Sequence, residues 1–406
     1  MPTADALETR AVPDPLDALT LDDLRRRTSV KWRRYPADVL PLWVAEMDAV
    51  LAPGVVDAVA RAMQVGDTGY DSGTRYAEAW AAYAADRWGW TVDVGRARTM
   101  PDVMTGVVHV VRATTDEGGA VVVSPPVYPP FFEFVETVGR RVVEAPLTAT
   151  GRLDLADGGA LDTAFAAARA GGRPALYLLA NPHNPTGVAH APDELAALCA
   201  LADRHGVQVL ADEIHAPLTG RPGVDDVPVF TPLLTVPGGE RALSLVSPSK
   251  AWNLAGLRAA LLLSGPAADD AVDRVPLNAR EAVNHVGVLA QTAALETGGE
   301  WLDAVLDALV RRRALLADLL AEHLPEVGYD AGHATYLAWL DCRALGLGDD
   351  PAAALLDEGR VALNSGLPFG TGGEGFVRLN LATSPSIVSE AVARMTDTVE
   401  RPGARG

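Results

Sequence analysis

Short apolar runs alternate with Ala- and Leu-rich helical stretches along most of the chain. Ala120–Val123 (AVVV), Ala175–Leu179 (ALYLL), Val207–Leu210 (VQVL) and Ala242–Val246 (ALSLV) read as short buried strands. Their alternation with helical segments predicts an α/β fold with a largely parallel sheet. A polar residue follows or ends each run: Tyr128, Asn184, Asp212 and Lys250 in turn. Open α/β sheets place ligands at strand C-termini, so these four are candidate site residues. Residues 281–320 read as long helix, with Gly298-Gly299 as a break or kink,. Thr335–Leu340 and Gly375–Leu381 look like strands of a second, smaller α+β unit. The expected division is an N-terminal segment, residues 1–50, packing with the small domain, a large domain over 51–295, and a small C-terminal domain over 296–406. There is no internal repeat and no low-complexity linker.

Composition narrows the function classes. With 49% apolar residues the chain buries a sizeable core easily, and a net charge of −19 argues against a general nucleic-acid binder,. The runs Arg25-Arg26-Arg27 and Arg311-Arg312-Arg313 read as solvated helix faces or interface charges. Cys199 and Cys342 are far apart, lack metal-ligand spacing and read as buried small hydrophobes, which predicts a reduced cytoplasmic setting and no metal,. Asp5, Glu8, Asp14 and Asp17 argue against a signal peptide, and no apolar stretch has the length of a membrane span,.

The chemistry concentrates in Ser247-Pro248-Ser249-Lys250-Ala251-Trp252-Asn253-Leu254-Ala255-Gly256-Leu257-Arg258. A lysine that forms a Schiff base must lose its charge near neutral pH, which a desolvated pocket and a neighbouring cation such as Arg258 favour. The serines can donate to a phosphate, and Gly256 lets the backbone approach closely. The competing reading of Lys250 is a snorkelling surface side chain.

The ordered set Tyr128, Asn181-Pro182-His183-Asn184-Pro185-Thr186-Gly187, Asp212-Glu213-Ile214-His215, Lys250 and Arg378 resembles the fold-type I pyridoxal-phosphate enzymes of the class I/II aminotransferase superfamily. Within it, Leu40–Asp48 (LPLWVAEMD), Ser124–Phe132 (SPPVYPPFF), Asp212–His215 (DEIH) and Gly373–Arg378 (GEGFVR) resemble the MalY/PatB subgroup of cystathionine β-lyases, or C–S lyases. The resemblance covers about residues 20–397 and implies pyridoxal 5′-phosphate as cofactor on a transferase-like fold.

It also implies roles. Lys250 carries the cofactor, and Asp212 partners its ring nitrogen, where a helix N-cap is the alternative. Asn184 bonds the ring oxygen, although an Asn-Pro pair is often only a turn. Tyr128 stacks on the ring or is a core tyrosine. Ser247, Ser249 and Arg258, with amides near Val103 and Met104, hold the phosphate. Asp102 stands where close relatives carry glycine; a carboxylate pointing inward would repel phosphate, so it is expected to cap the helix. His215 is a ring contact, a proton shuttle or a packed histidine. Tyr70 matches a tyrosine donated across a homodimer interface to the neighbouring phosphate, making each site composite. Arg378 matches the substrate-carboxylate arginine; the alternative is pairing with a buried acid. Trp43, Met47, Asp48 and Asn181 are candidate pocket-wall residues, and Glu46 replaces an aspartate common in relatives. The implied reaction is α,β-elimination from L-cystathionine or a related cysteine S-conjugate. Transamination uses the same residues and stays open, as does a ligand-sensing regulator on the same fold, which the acidic charge disfavours.

Overall fold

The computed structural model describes residues 13–401, apart from the side chains of residues 280 and 281; the acidic positions Asp5 and Glu8 lie outside the described residues. The strands, in chain order, are β1 (Leu40–Pro41), β2 (Arg98–Met100), β3 (Ala120–Val123), β4 (Arg141–Glu144), β5 (Ala175–Ala180), β6 (Val207–Asp212), β7 (Leu243–Val246), β8 (Ala260–Ser264), β9 (Gly328–Tyr329), β10 (Leu337–Asp341), β11 (Val361–Ala362), β12 (Asn364–Ser365) and β13 (Phe376–Asn380). Seven of them form a sheet in the order β2-β8-β7-β6-β5-β3-β4. Only β8 runs against the others, since it pairs antiparallel with both β2 and β7.

Alternating side chains of the parallel strands feed two cores. Val121, Val123, Leu176 and Leu245 pack under the helices Val103–Thr114 and Pro130–Thr137. Val122, Tyr177, Leu179 and Val209 pack under Ala160–Ala168 and Pro192–His205. Both faces are dry, which is why these strands read as continuous apolar runs. Gly106 fixes how closely the first helix sits, because a Cβ there would lie 2.5 Å from Leu245 Cδ2. Glycine inside a helix costs about 1 kcal/mol relative to alanine, so close packing is its reason.

A second sheet, β12-β13-β10-β9, is antiparallel throughout. The N-terminal segment joins this part of the molecule through β1, which pairs parallel with β11. The segment also meets the loop after Lys250, where Asn253 accepts from Met47 N at 2.8 Å and donates to Met47 O at 3.0 Å. The expected long helix is divided into Leu277–Glu281, His285–Thr297 and Gly299–His323. The Gly298 break follows from Trp252, whose indole donates to Gly298 O at 3.0 Å and would clash with any side chain there.

Two charge expectations are corrected. Arg312 is not solvated: it is 3% exposed and bonds Thr383 O and Asp14, both at 3.0 Å. Arg27 also turns inward, capping the carbonyls of Met47 and Ala49. Arg313 likewise bonds inward, to Thr335 O, while Arg311 faces outward, as do Arg25 and Arg26 beside Asp22 and Asp23. Cys199 and Cys342 are buried free thiols, and burial pushes them up to about 11 and about 12. No helix among the described residues is long and apolar enough to cross a membrane.

Candidate active site

The C-terminal ends of β5, β6 and β7 and the edge of the second sheet enclose a cleft of about 790 Å³. Trp43, Val103, Met104, Tyr128, Asn184, Asp212, His215, Ser249, Lys250, Arg258 and Arg378 all line it. They come from segments spread over more than 300 residues, and the parallel sheet brings them together by ending its strands on one side.

Asp212 ends β6 and is 7% exposed, and its carboxylate accepts only Ile214 N, at 3.1 Å, among the described residues. Burial lifts its carboxyl to about 7, opposed by that hydrogen bond and by the Lys250 charge. A carboxylate so placed calls for a cation opposite it. Lys250 Nζ donates to Ala45 O at 3.0 Å, and burial, then the nearby Arg378 charge, lower the amine to about 8. An amine at that value is partly neutral near physiological pH, as a nucleophile or base requires.

Arg378 lies on β13 opposite Asn364 and Trp339. Its guanidinium donates to Asn184 Oδ1 at 3.0 Å and Trp43 O at 3.2 Å, and stacks 5.2 Å from the Phe369 ring centre. Its Nε is buried without an acceptor, and no carboxylate among the described residues forms an ion pair with it. Burial brings it down to about 10. The buried acid considered as an alternative partner is therefore missing among the described residues, and the guanidinium lines the cleft with its charge unpaired. With its oxygen engaged by Arg378, Asn184 keeps its amide N–H groups for a ligand oxygen.

At the other end of the cleft the helix Val103–Thr114 begins. Asp102 is its N-cap: one carboxylate oxygen accepts Thr105 N at 2.8 Å and the other Thr105 Oγ1 at 2.9 Å. The same carboxylate pairs with Arg258, so capping is only half its role. The amides of Val103 and Met104 have no partner within the helix and face the cleft with Ser249,. His215 is held neutral, lowered to about 3 by burial and then by the charges of Lys250 and Arg378. Its Nδ1 is buried without a partner, and its ring meets Tyr336 edge-on at 6.0 Å.

Five expected residues lie off the cleft: Ser247, Asn181, Asp48, Tyr70 and Met47. Ser247 is 1% exposed, sits 2.7 Å from Ala259 O and accepts Ser249 N, so it braces the lysine loop from beneath. Asn181 turns behind the sheet to Glu213 and Thr231 O, both at 3.0 Å. Asp48 is sealed against Lys31 Nζ at 2.8 Å and Trp32 Nε1 at 3.1 Å, which makes it a tie within the N-terminal segment. Tyr70 is 94% exposed and outside the cleft of its own chain. Met47 is core, and the Glu46 carboxylate accepts from Ser29 while its charge still reaches Lys250. Tyr336 was not singled out from sequence, yet its hydroxyl reaches Ala45 O at 3.1 Å beside the lysine amine. A tyrosine at the start of an apolar strand carries no local sign of such a role.

The residues fit pyridoxal phosphate. Asp212 offers a buried anion to a protonated ring nitrogen, Tyr128 a flat face, and the helix end with Ser249 and Arg258 an anion site beside Lys250.

The comparisons agree with this geometry. The family described as aminotransferase class I and II matches residues 70–395. A Mycobacterium leprae protein named "Putative cystathionine beta-lyase" is 51% identical over 94% of this chain and 97% of its own. The cystathionine beta-lyase PatB of Bacillus subtilis is 32% identical over 90% of this chain and 95% of its own. The crystal structure of a "putative plp-dependent beta-cystathionase" from Corynebacterium diphtheriae superposes with a TM-score of 0.85 at 32% identity, covering 95% of this chain and 99% of the other. Matches this long, around a cleft so equipped, place the chain in the class I and II aminotransferase family and, within it, in the MalY/PatB-type cystathionine β-lyase group.

Proposed function

We propose that the protein is a pyridoxal-phosphate-dependent C–S β-lyase that cleaves L-cystathionine or a related cysteine S-conjugate to a thiol, pyruvate and ammonia. One observation carries the chemistry: Asp212, a buried acid, and Arg378, a buried cation, both lack an ion-pair partner among the described residues and line one cleft with a lysine of lowered basicity. When bound, the cofactor supplies an electron sink for charge developing at the substrate α-carbon. Arg378, whose charge has no carboxylate partner among the described residues, binds the substrate carboxylate. Asp212 would keep the ring nitrogen protonated, Tyr128 would offer its face to the ring, and the Asn184 amide would donate to the ring oxygen. Lys250, which tethers the cofactor at rest, takes the α-proton. The C–S bond then breaks with its electron pair on sulfur, which leaves as thiolate and gains a proton from water. The three-carbon remainder reacts with water to give pyruvate and ammonia. Elimination rather than amine exchange is supported by the relatives named cystathionine β-lyase.

In this reading residues 51–295 carry the cofactor, while 296–406 with residues 1–50 bring Arg378 and Trp43. A homodimer completes the phosphate corner, the exposed Tyr70 of one subunit reaching the cleft of the other. Purified holoenzyme given L-cystathionine without any keto acid should release pyruvate and thiol in equal amounts. Strict dependence on an added keto acid would replace lyase by aminotransferase.

A further inference from the structure

The cleft carries more charge than that reaction uses. Once Lys250, Asp212, Arg378 and the Arg258–Asp102 pair have roles, Arg34, Asp350 and Glu133 remain on its walls. The Arg34 side chain, solvent-exposed at the rim of the cleft, has neither a hydrogen-bond nor an ion-pair partner among the described residues, and Asp350 Oδ1 is shielded from water without a donor among them. Asp350 immediately precedes the helix Pro351–Asp357 but does not cap it, so its carboxylate is not spent on the backbone. A shielded acceptor left without a donor is costly, and a ligand donor relieves that cost.

Position adds to this. Arg34 adjoins Tyr35, whose ring stands edge-on to Trp43 at 5.9 Å, and Trp43 O in turn holds Arg378. Asn364 pairs in register with Arg378, and the apolar Leu363 and Ala353 line the same cleft as Asp350 and Arg34. A cleft that holds the carboxylate-binding arginine, apolar wall, and a further cation and anion without partners among the described residues matches a thioether link ending in a second zwitterion.

Resting on the lyase reading, we infer that Arg34 and Asp350 form a distal amino-acid subsite, which selects thioethers whose leaving thiol carries its own carboxylate and ammonium. Arg34 takes the distal carboxylate, Asp350 the distal ammonium, and Glu133 on the facing wall adds to the attraction for the ammonium. A hydrogen bond to a charged group is worth about 1.5–3 kcal/mol, or roughly ten- to hundredfold in kcat/KM.

The test compares holoenzyme and the variants Arg34→Gln and Asp350→Asn on four substrates: L-cystathionine, S-ethyl-L-cysteine, S-(3-carboxypropyl)-L-cysteine and S-(3-aminopropyl)-L-cysteine. For R34Q the ratio of kcat/KM for L-cystathionine over S-ethyl-L-cysteine should fall about tenfold or more, chiefly through KM, and the carboxypropyl compound should suffer alike. For D350N the same ratio should fall and the aminopropyl compound should be the one affected. Equal losses on all four substrates, or an unchanged ratio in both variants, overturn the subsite and leave the lyase reading intact. Absence of pyruvate from every thioether with the unaltered holoenzyme overturns both.

Discussion

Asp102 separates two roles that one carboxylate plays at the phosphate corner. It caps the helix Val103–Thr114 through Thr105 and pairs with Arg258. Asp102→Ser keeps a hydroxyl acceptor for Thr105 N and removes the charge, whereas Asp102→Ala removes both. Two like charges about 5 Å apart repel by about 3 kcal/mol at an effective dielectric near 20. The Arg258 side chain is 63% exposed, so solvent and its own positive charge screen much of this. About 1 kcal/mol remains, close to a fivefold change in Kd. Equilibrium titration of apoenzyme with pyridoxal phosphate, followed by absorbance, should therefore show D102S binding about fivefold more tightly than the unaltered chain, with the gap closing as salt is raised. D102A should show a similar gain in affinity but lose about 1 kcal/mol of stability in denaturant with the cap. Weaker binding by D102S would refute the repulsion argument and make Asp102 the residue that holds Arg258 ready for phosphate.

Three further outcomes follow from the geometry. Arg378→Lys cannot reproduce the planar fork, so kcat/KM for pyruvate release from S-ethyl-L-cysteine should fall about ten- to hundredfold; a loss under threefold would detach Arg378 from the substrate carboxylate. His285 bonds Asp71 and Asp67, each at 3.1 Å, and although burial lowers its pKa, these two bonds outweigh it and raise the value above the usual 6.5. The stabilisation, about 1 kcal/mol, is complete below pH 6.5 and is lost as pH rises through the raised folded value, so the Tm gap between the unaltered chain and His285→Asn should close in alkali,; a gap independent of pH contradicts this. Gly106→Ala forces a methyl into Leu245 at a net cost of about 1–2 kcal/mol after the helix-propensity gain, read as a lower denaturation midpoint,; an unchanged midpoint would mean that helix and sheet are not in close contact there.

Much of the site was legible because its residues sit at strand ends, and strand ends are marked locally. Asp212, Asn184, Tyr128 and Lys250 each follow an apolar run, and all four line the cleft. What local pattern could not mark was side-chain direction. Ser247 and Ser249 are two residues apart with the same hydroxyl, yet one braces the loop from beneath and the other faces the cleft. Asn181 and Asn184 belong to one motif and point to opposite sides of the wall. Asp48 looked like a wall residue until Lys31 was seen beside it, and Arg312 like surface until Asp14 and Thr383 were.

By itself the sequence determined the alternation of elements, the sheet they build and the chemical types gathered at its edge, because periodicity and turn residues act over a few positions. The tertiary structure alone decided which charges meet. Among the described residues Asp102 meets Arg258, Arg378 meets no acid, and Arg34 and Asp350 stay unpaired on one cleft, groups separated by up to hundreds of residues. Coulomb energy and desolvation depend on distance in space, and only the folded chain sets that distance.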